Sequence, residues 1–303
     1  MSSASNRSSG RAEYSRSSPA GLLPNDNGSL PPPSSFGRDR SRVTASYVAD
    51  MATRLSARDQ AIVRDLARVR VLTGNQLERL HFYDLGLTNR DRARRRVLNR
   101  LIAWRVVTTL ARRVGGVRAG SAGLVYSLDT AGQRVLLLLD SRDELTVRRP
   151  WTPGALFLAH TLAVAELYVR LREAERLGRL ELSTFLAEPA SWQRTTTLGT
   201  LKPDAYALLA HGDIEDAWWI EVDQGTESPA TVRRKLSLYV LAATAGVVGP
   251  HEILPRVLVT VPDTQRLEIV REIAAELGPA AERLILVTLH GMAIDYLAEI
   301  LHA

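Results

Sequence analysis

At 303 residues the chain has room for two domains with cores of their own, and 45% hydrophobic with 24% charged residues is an ordinary globular composition. A net charge of +6 and a pI of about 9.9 favour an anionic partner, nucleic acid before a membrane surface. The absence of cysteine excludes disulfides, thiolate zinc sites and Cys nucleophiles, and no run reads as a transmembrane helix or a signal-peptide core, so a soluble cytoplasmic protein is expected.

Residues 1–45 are rich in Ser, Pro, Gly, Asn and Arg, with Pro31-Pro32-Pro33 at their centre. They hold too little apolar side chain to offset the entropy of ordering and are predicted to be a disordered tail, with Arg38, Arg40 and Arg42 solvated near its end.

A second segment, 46–140, begins with predicted helices. Ser56 is placed as an N-cap with Asp59 three residues on, followed by Ile62, Val63, Leu66 and Val69 at helical spacing. Thr73 caps a short second helix with Leu77 and Leu80 on its apolar face. A third helix is predicted over about Asn89 to Trp104, with Val97, Leu98, Leu101 and Ile102 inward. Arg90, Arg92, Arg94, Arg95, Arg96 and Arg100 are assigned to its outer face, with Asp91 as the only acid. Two strands follow, Val106 to Arg113 and Leu124 to Leu128, joined by a Gly- and Arg-bearing tip, and then a helix capped by Thr130 and running to Leu139. Three helices and a hairpin are the plan of a winged helix–turn–helix. Its third helix would enter the major groove of double-stranded DNA, and Arg112, Arg113 and Arg118 would sit on the wing. The plainer reading is a basic helical bundle that binds protein or keeps the chain soluble.

Residues 141–153 are polar, with two prolines, and read as a linker. In 154–303 a long apolar helix, about Gly154 to Leu177, carries His160 and Glu166, six residues apart and so on different faces. His160 is read as a core or edge histidine with a backbone partner. Glu166 either faces solvent or is drawn into a site. A strand over Leu180 to Ala187 is predicted next, then a polar connection carrying Trp192. The apolar runs Ala205 to Ala210 and Ala217 to Val222 are predicted to form a hairpin with His211-Gly212-Asp213 starting its turn. Alternation puts Glu221 and Asp223 on one face, about 7 Å apart, and a hairpin centred on Asp213 and Ile214 sets Asp204 opposite Asp223. Three carboxylates on one patch suit Mg²⁺ or Mn²⁺. Of 39 Lys plus Arg only Lys202 and Lys235 are lysine, and both flank these acids. That placement is either chance or a use for a compact ammonium. The predicted remainder is a helix from Ser228-Pro229 to Ala245, a strand over Arg256 to Val261, a helix over Thr264 to Leu277, a strand over Leu284 to Leu289 and a helix over Met292 to Leu301. Together they give a mixed-sheet α/β layer.

This order, with Pro203-Asp204 at one strand and Glu221-Val222-Asp223 at the next, resembles the PD-(D/E)XK nuclease superfamily. The resemblance implies Mg²⁺ held by Asp204 and Glu221, with Asp223 or Glu166, an acid supplied from the first core helix, as a further ligand. Asp223 stands where the superfamily's lysine belongs. Members that take the lysine from the following helix make Lys235 the candidate, with Lys202 as the second. Residues 55–290 also resemble the replication-relaxation family of actinobacterial plasmids and mobile elements. The resemblance rests on the Arg-rich helix, 112–123, 158–168, Leu201-Lys202-Pro203-Asp204, 221–227 and Arg233-Arg234-Lys235-Leu236. It implies work on plasmid DNA alongside replication or transfer proteins. Three expectations follow: a metal-dependent endonuclease or nickase, a catalytically inactive DNA-binding adaptor that uses the nuclease-like half as a scaffold, or a purely structural set of acids ion-paired to Arg233, Arg234 and Lys235.

Overall fold

The computed structural model describes residues 43–113, 123–140, 154–196 and 198–302, and the side chains of 111–113 are outside that description. The predicted tail, the wing tip with Arg118, and the linker therefore lie outside the described residues, apart from the tail's last residues.

The first half opens with α1 (Ala45–Arg54), which the sequence reading had passed over; Val48 and Met51 are its buried residues. α2 (Ala57–Val69) starts at the expected capping box, in which Ser56 and Asp59 satisfy each other's backbone N–H groups. After β1 (Leu72–Thr73), Thr73 and Gln76 form a second capping box for α3 (Gly74–His81). α4 spans Leu87–Ala103, and β2 (Val107–Arg113) and β3 (Leu124–Leu128) follow. The three strands form an antiparallel sheet in the order β1-β3-β2. α5 (Thr130–Leu139) is capped by the Asp129 carboxylate, which accepts from Thr130 N at 2.6 Å, so the cap is Asp129 and not Thr130. Gly132 of α5 lies so close to the chain that an added Cβ would stand 2.1 Å from the Val106 carbonyl oxygen.

The second half begins with α6 (Ala155–Arg176) and β4 (Glu181–Ala187). A small ribbon of its own, β5 (Gln193–Thr195) with β6 (Gly199–Leu201), precedes β7 (Ala205–His211) and β8 (Ile214–Val222). Then come α7 (Pro229–Thr244), β9 (Arg256–Val261), α8 (Thr264–Glu276), α9 (Pro279–Leu284), β10 (Ile285–Leu289) and α10 (Ala293–Leu301). The five-stranded sheet runs β10-β9-β8-β7-β4. β4, β7 and β8 are antiparallel, and β9 and β10 continue parallel to β8. The sheet is mixed, as expected.

β7 and the second half of β8 are buried on both faces, which accounts for their unbroken apolar runs. The neighbours Trp218 and Trp219 point to opposite sides. Trp218 joins a core shared by α6 and the first half's helices, and Trp219 joins the core beneath α7 and α8. The first of these cores is continuous from Val43 to Leu301. No helix among the described residues is long and apolar enough to cross a membrane.

The hairpin register differs from the expected one by two residues. His211 pairs with Ile214 and Ala205 with Ile220. Gly212 and Asp213 make the turn, with Gly212 at φ +59°. A positive φ at the first of two turn residues is the type II′ hairpin arrangement, and Gly adopts it without steric cost. Asp204, one residue before Ala205, therefore faces Glu221 rather than Asp223.

Candidate functional site

A cleft of about 530 Å³ opens where the N-terminal end of α6 and the inner face of α7 meet the ends of β7 and β8. Its polar lining includes His160, Asp204, Glu221, Glu227 and Lys235, with Leu156 and Phe157 of α6 on its apolar side. Asp204 Oδ2 accepts from Val222 N at 2.8 Å, which ties the carboxylate to the neighbouring strand. Its Oδ1 lies 3.1 Å from His160 Nε2. The hydrogen bond to Asp204 raises the His160 pKa, against the effect of its burial. Glu221 is 6% exposed. Tyr239 donates to its Oε1 at 2.5 Å, and Lys235 Nζ lies 3.2 Å from its Oε2. Burial, and then the charge of Asp204, push the Glu221 carboxyl well above the usual carboxylate range, against the pull of Lys235 and Tyr239.

α7 delivers these two partners because Ser228 caps it and Pro229 starts it. Lys235 and Tyr239 are four residues apart and so share a face. Lys235 also meets Glu227 at 2.9 Å. Burial works against its charge, but Glu221, Glu227 and Asp204 outweigh that and raise its pKa, so the ammonium is firmly protonated. Burial and the Glu221 charge likewise hold the Tyr239 hydroxyl in its protonated form.

Asp204, Glu221 and Lys235 thus come together, while the other nominated groups do not join them. Asp223 touches the cleft, but its carboxylate is committed: Oδ2 takes Arg266 Nε at 2.7 Å, and Oδ1 takes Gly225 N at 2.7 Å. Glu166 points away, to Arg79 at 2.6 Å and Gln76 at 3.0 Å. Arg79 also binds Glu173, which clamps α3 to α6. Lys202 stacks its ammonium 4.8 Å from the Trp192 ring centroid and does not line the cleft. Arg233 pairs with Glu276 and not with the cleft acids. Among the described residues no three His, Asp or Glu side chains are grouped closely enough to hold a metal by themselves. His160 corrects the expectation of a backbone partner. Tyr239 was missed, although its position one turn beyond Lys235 was the available signal.

The arginines of α4 divide. Arg94 is 2% exposed and pairs with Glu78 and Asp91, which overturns its place on an outer face. Arg90 donates to the carbonyls of Leu85 and Tyr83, closing the turn before the helix. Arg100 binds the Asp59 carboxylate at 2.7 Å and stacks on Trp104. Arg95 is exposed and pairs with Asp91. Arg92 and Arg96 are exposed and have no hydrogen bond or ion pair among the described residues. Arg112 and Arg113 lie in β2, with side chains outside the described set.

The family model described as replication-relaxation matches residues 63–257. No curated protein and no solved structure matches the chain.

Proposed function

The chain belongs to the replication-relaxation family, and on that premise we propose that it binds double-stranded plasmid or mobile-element DNA and cuts it as a metal-assisted endonuclease or nickase. The observation that carries this is the meeting of Asp204, Glu221 and Lys235 in one cleft. The layout supports it. α6, the antiparallel strands β4, β7 and β8, then α7 and the parallel β9 follow the plan of a PD-(D/E)XK-like core. The helices α2 to α4 with the β1-β3-β2 sheet follow the plan of a winged helix–turn–helix, with α4 offering Arg92, Arg95 and Arg96 to phosphates.

Two buried carboxylates facing each other across a hairpin fit Mg²⁺ or Mn²⁺, since Mg²⁺ is commonly held by one or two carboxylates with substrate phosphates completing its shell. Asp204 and Glu221 would hold it, and it would supply charge neutralisation at the phosphate and a more acidic water. Lys235, fixed in its charged form, serves as an electrostatic donor to a phosphate oxygen and not as a base. Its position on α7 answers the departure at Asp223: the lysine comes from the helix. His160 fixes the orientation of Asp204.

A supercoiled-plasmid assay with Mg²⁺ or Mn²⁺ tests the proposal. Wild type converts plasmid to open-circle or linear DNA, while Asp204→Ala and Lys235→Ala bind it without cutting. Cleavage by Asp204→Ala at the wild-type rate would sink the nuclease reading. A second reading, a DNA-binding adaptor for plasmid replication or transfer proteins, draws on the loss of Asp223 to Arg266 and of Glu166 to Arg79. Salt-sensitive plasmid binding with no cutting in either metal selects it.

A further inference from the structure

The β5–β6 ribbon stands apart from both larger sheets and leads directly into Asp204. Its pairs are Gln193 with Leu201, Arg194 with Thr200 and Thr195 with Gly199. Carried one step outward, the register sets Trp192 opposite Lys202, and these two do meet, ammonium over indole at 4.8 Å. Alternation then divides the ribbon into two faces. On one, Leu201 is buried in the core beneath α7 and α8, with Leu198 of the connecting turn packed against the same core. On the other lie Trp192, Arg194, Thr200 and Lys202, all exposed, with the indole 40% open to solvent. From Ser191 to Pro203 there is no acidic residue.

We propose that this outer face binds an unpaired stretch of nucleic-acid strand, a base stacking at Trp192 and phosphates held by Arg194 and Lys202. An exposed aromatic between two cations is the combination that single strands use: bases stack on it whatever their identity, and cations follow the backbone. The ribbon spans roughly 7–10 Å, room for a short stretch of strand. Its cross-strand indole–ammonium pair holds the ring in place before any ligand arrives, and the buried Leu201 anchors the other side. Lys202 is two residues from Asp204, so a strand gripped here is delivered at the cleft. The proposal rests on the reading that the chain acts on DNA, and it adds a grip separate from the duplex contacts of α4.

The test is fluorescence anisotropy with a labelled thymine oligonucleotide and with a labelled hairpin duplex, titrated over a salt series without divalent metal. Trp192→Ala is expected to weaken single-strand binding by about tenfold, within the range for loss of one base–aromatic stack, and to leave duplex binding unchanged. Trp192→Phe is expected to retain most single-strand affinity, which separates stacking from simple folding damage. Arg194→Gln with Lys202→Gln is expected to reduce the single-strand salt slope by roughly 1.4, at about 0.7 per phosphate contact. Wild-type single-strand affinity in Trp192→Ala, or equal losses on both probes, overturns the proposal. Duplex binding with no single-strand binding by wild type also overturns it while leaving the DNA reading in place. Binding of neither probe removes both.

Discussion

Replacing Asp223 by Ala separates the two readings of the acids at the end of β8. The Asp223 and Arg266 side chains are only 6% and 9% exposed, and Arg266 keeps just the Glu227 carbonyl oxygen once the carboxylate is gone. An unpaired buried guanidinium costs about 3–5 kcal/mol, and Gly225 N loses its acceptor as well. With a urea slope of about 3 kcal/mol/M for a unit of this size, the unfolding midpoint falls by about 1–1.7 M. Asp204→Asn is the contrast. Its amide oxygen still accepts from Val222 N, and removal of the charge that repels Glu221 offsets the weakened contact with His160, so its stability is expected within about 1 kcal/mol of wild type. The double change Asp223→Leu with Arg266→Met recovers most of the loss, because an apolar pair of similar volume does not leave a charge stranded. Urea denaturation followed by circular dichroism measures all three. A wild-type midpoint for Asp223→Ala together with a loss of several kcal/mol for Asp204→Asn would refute the assignment of Asp223 to structure and Asp204 to the site.

Three further outcomes follow from the same packing. Arg94→Ala is expected to cost about 1–3 kcal/mol, since it empties the buried space the long side chain fills, whereas Arg92→Ala and Arg96→Ala leave stability unchanged and each reduce the duplex salt slope by about 0.9; urea midpoints and salt titrations read the two effects. Asp65 is pressed upward by its burial, the largest single influence, but its contacts with His81, Tyr168 and Arg68 together outweigh this and leave its pKa lowered. A lowered carboxylate pKa gives stability that is present above about pH 3.9 and is lost as pH falls through the folded value, so Asp65→Asn, compared with wild type in acid titrations of stability, is expected to lose less on acidification. Gly132→Ala drives a Cβ into the Val106 carbonyl oxygen and is expected to destabilise by about 1–3 kcal/mol in thermal or urea unfolding, with Gly86→Ala, where an added Cβ meets nothing within 4 Å, as the control.

What could be read from the chain depended on the range of the interaction. Caps at Ser56, Thr73 and Ser228 use partners within three residues, and all three were legible. The carboxylate face was legible too, because a register shift of two residues moves every partner but leaves each side chain on its face. That is why Asp204 lies with the β8 acids even though it faces Glu221 and not Asp223. Two local signals were present and unread. Val48, Met51, Ala52 and Leu55 have helical spacing, and Arg94 lies four and seven residues before Leu98 and Leu101, on the buried side of α4. Other contacts had no local signature. Arg79 reaches Glu166 across 87 residues of chain and Arg266 reaches Asp223 across 43, and each withdraws an acid that spacing alone would leave in the site.

α6 is a shaft shared by the two halves. Arg79 of α3 grips it at Glu166 and Glu173, and further toward its start the same rod holds His160 against Asp204. The seat of α3 and the orientation of the Asp204 carboxylate are therefore set from one unbroken 22-residue helix, so neither can be repositioned without moving the support of the other.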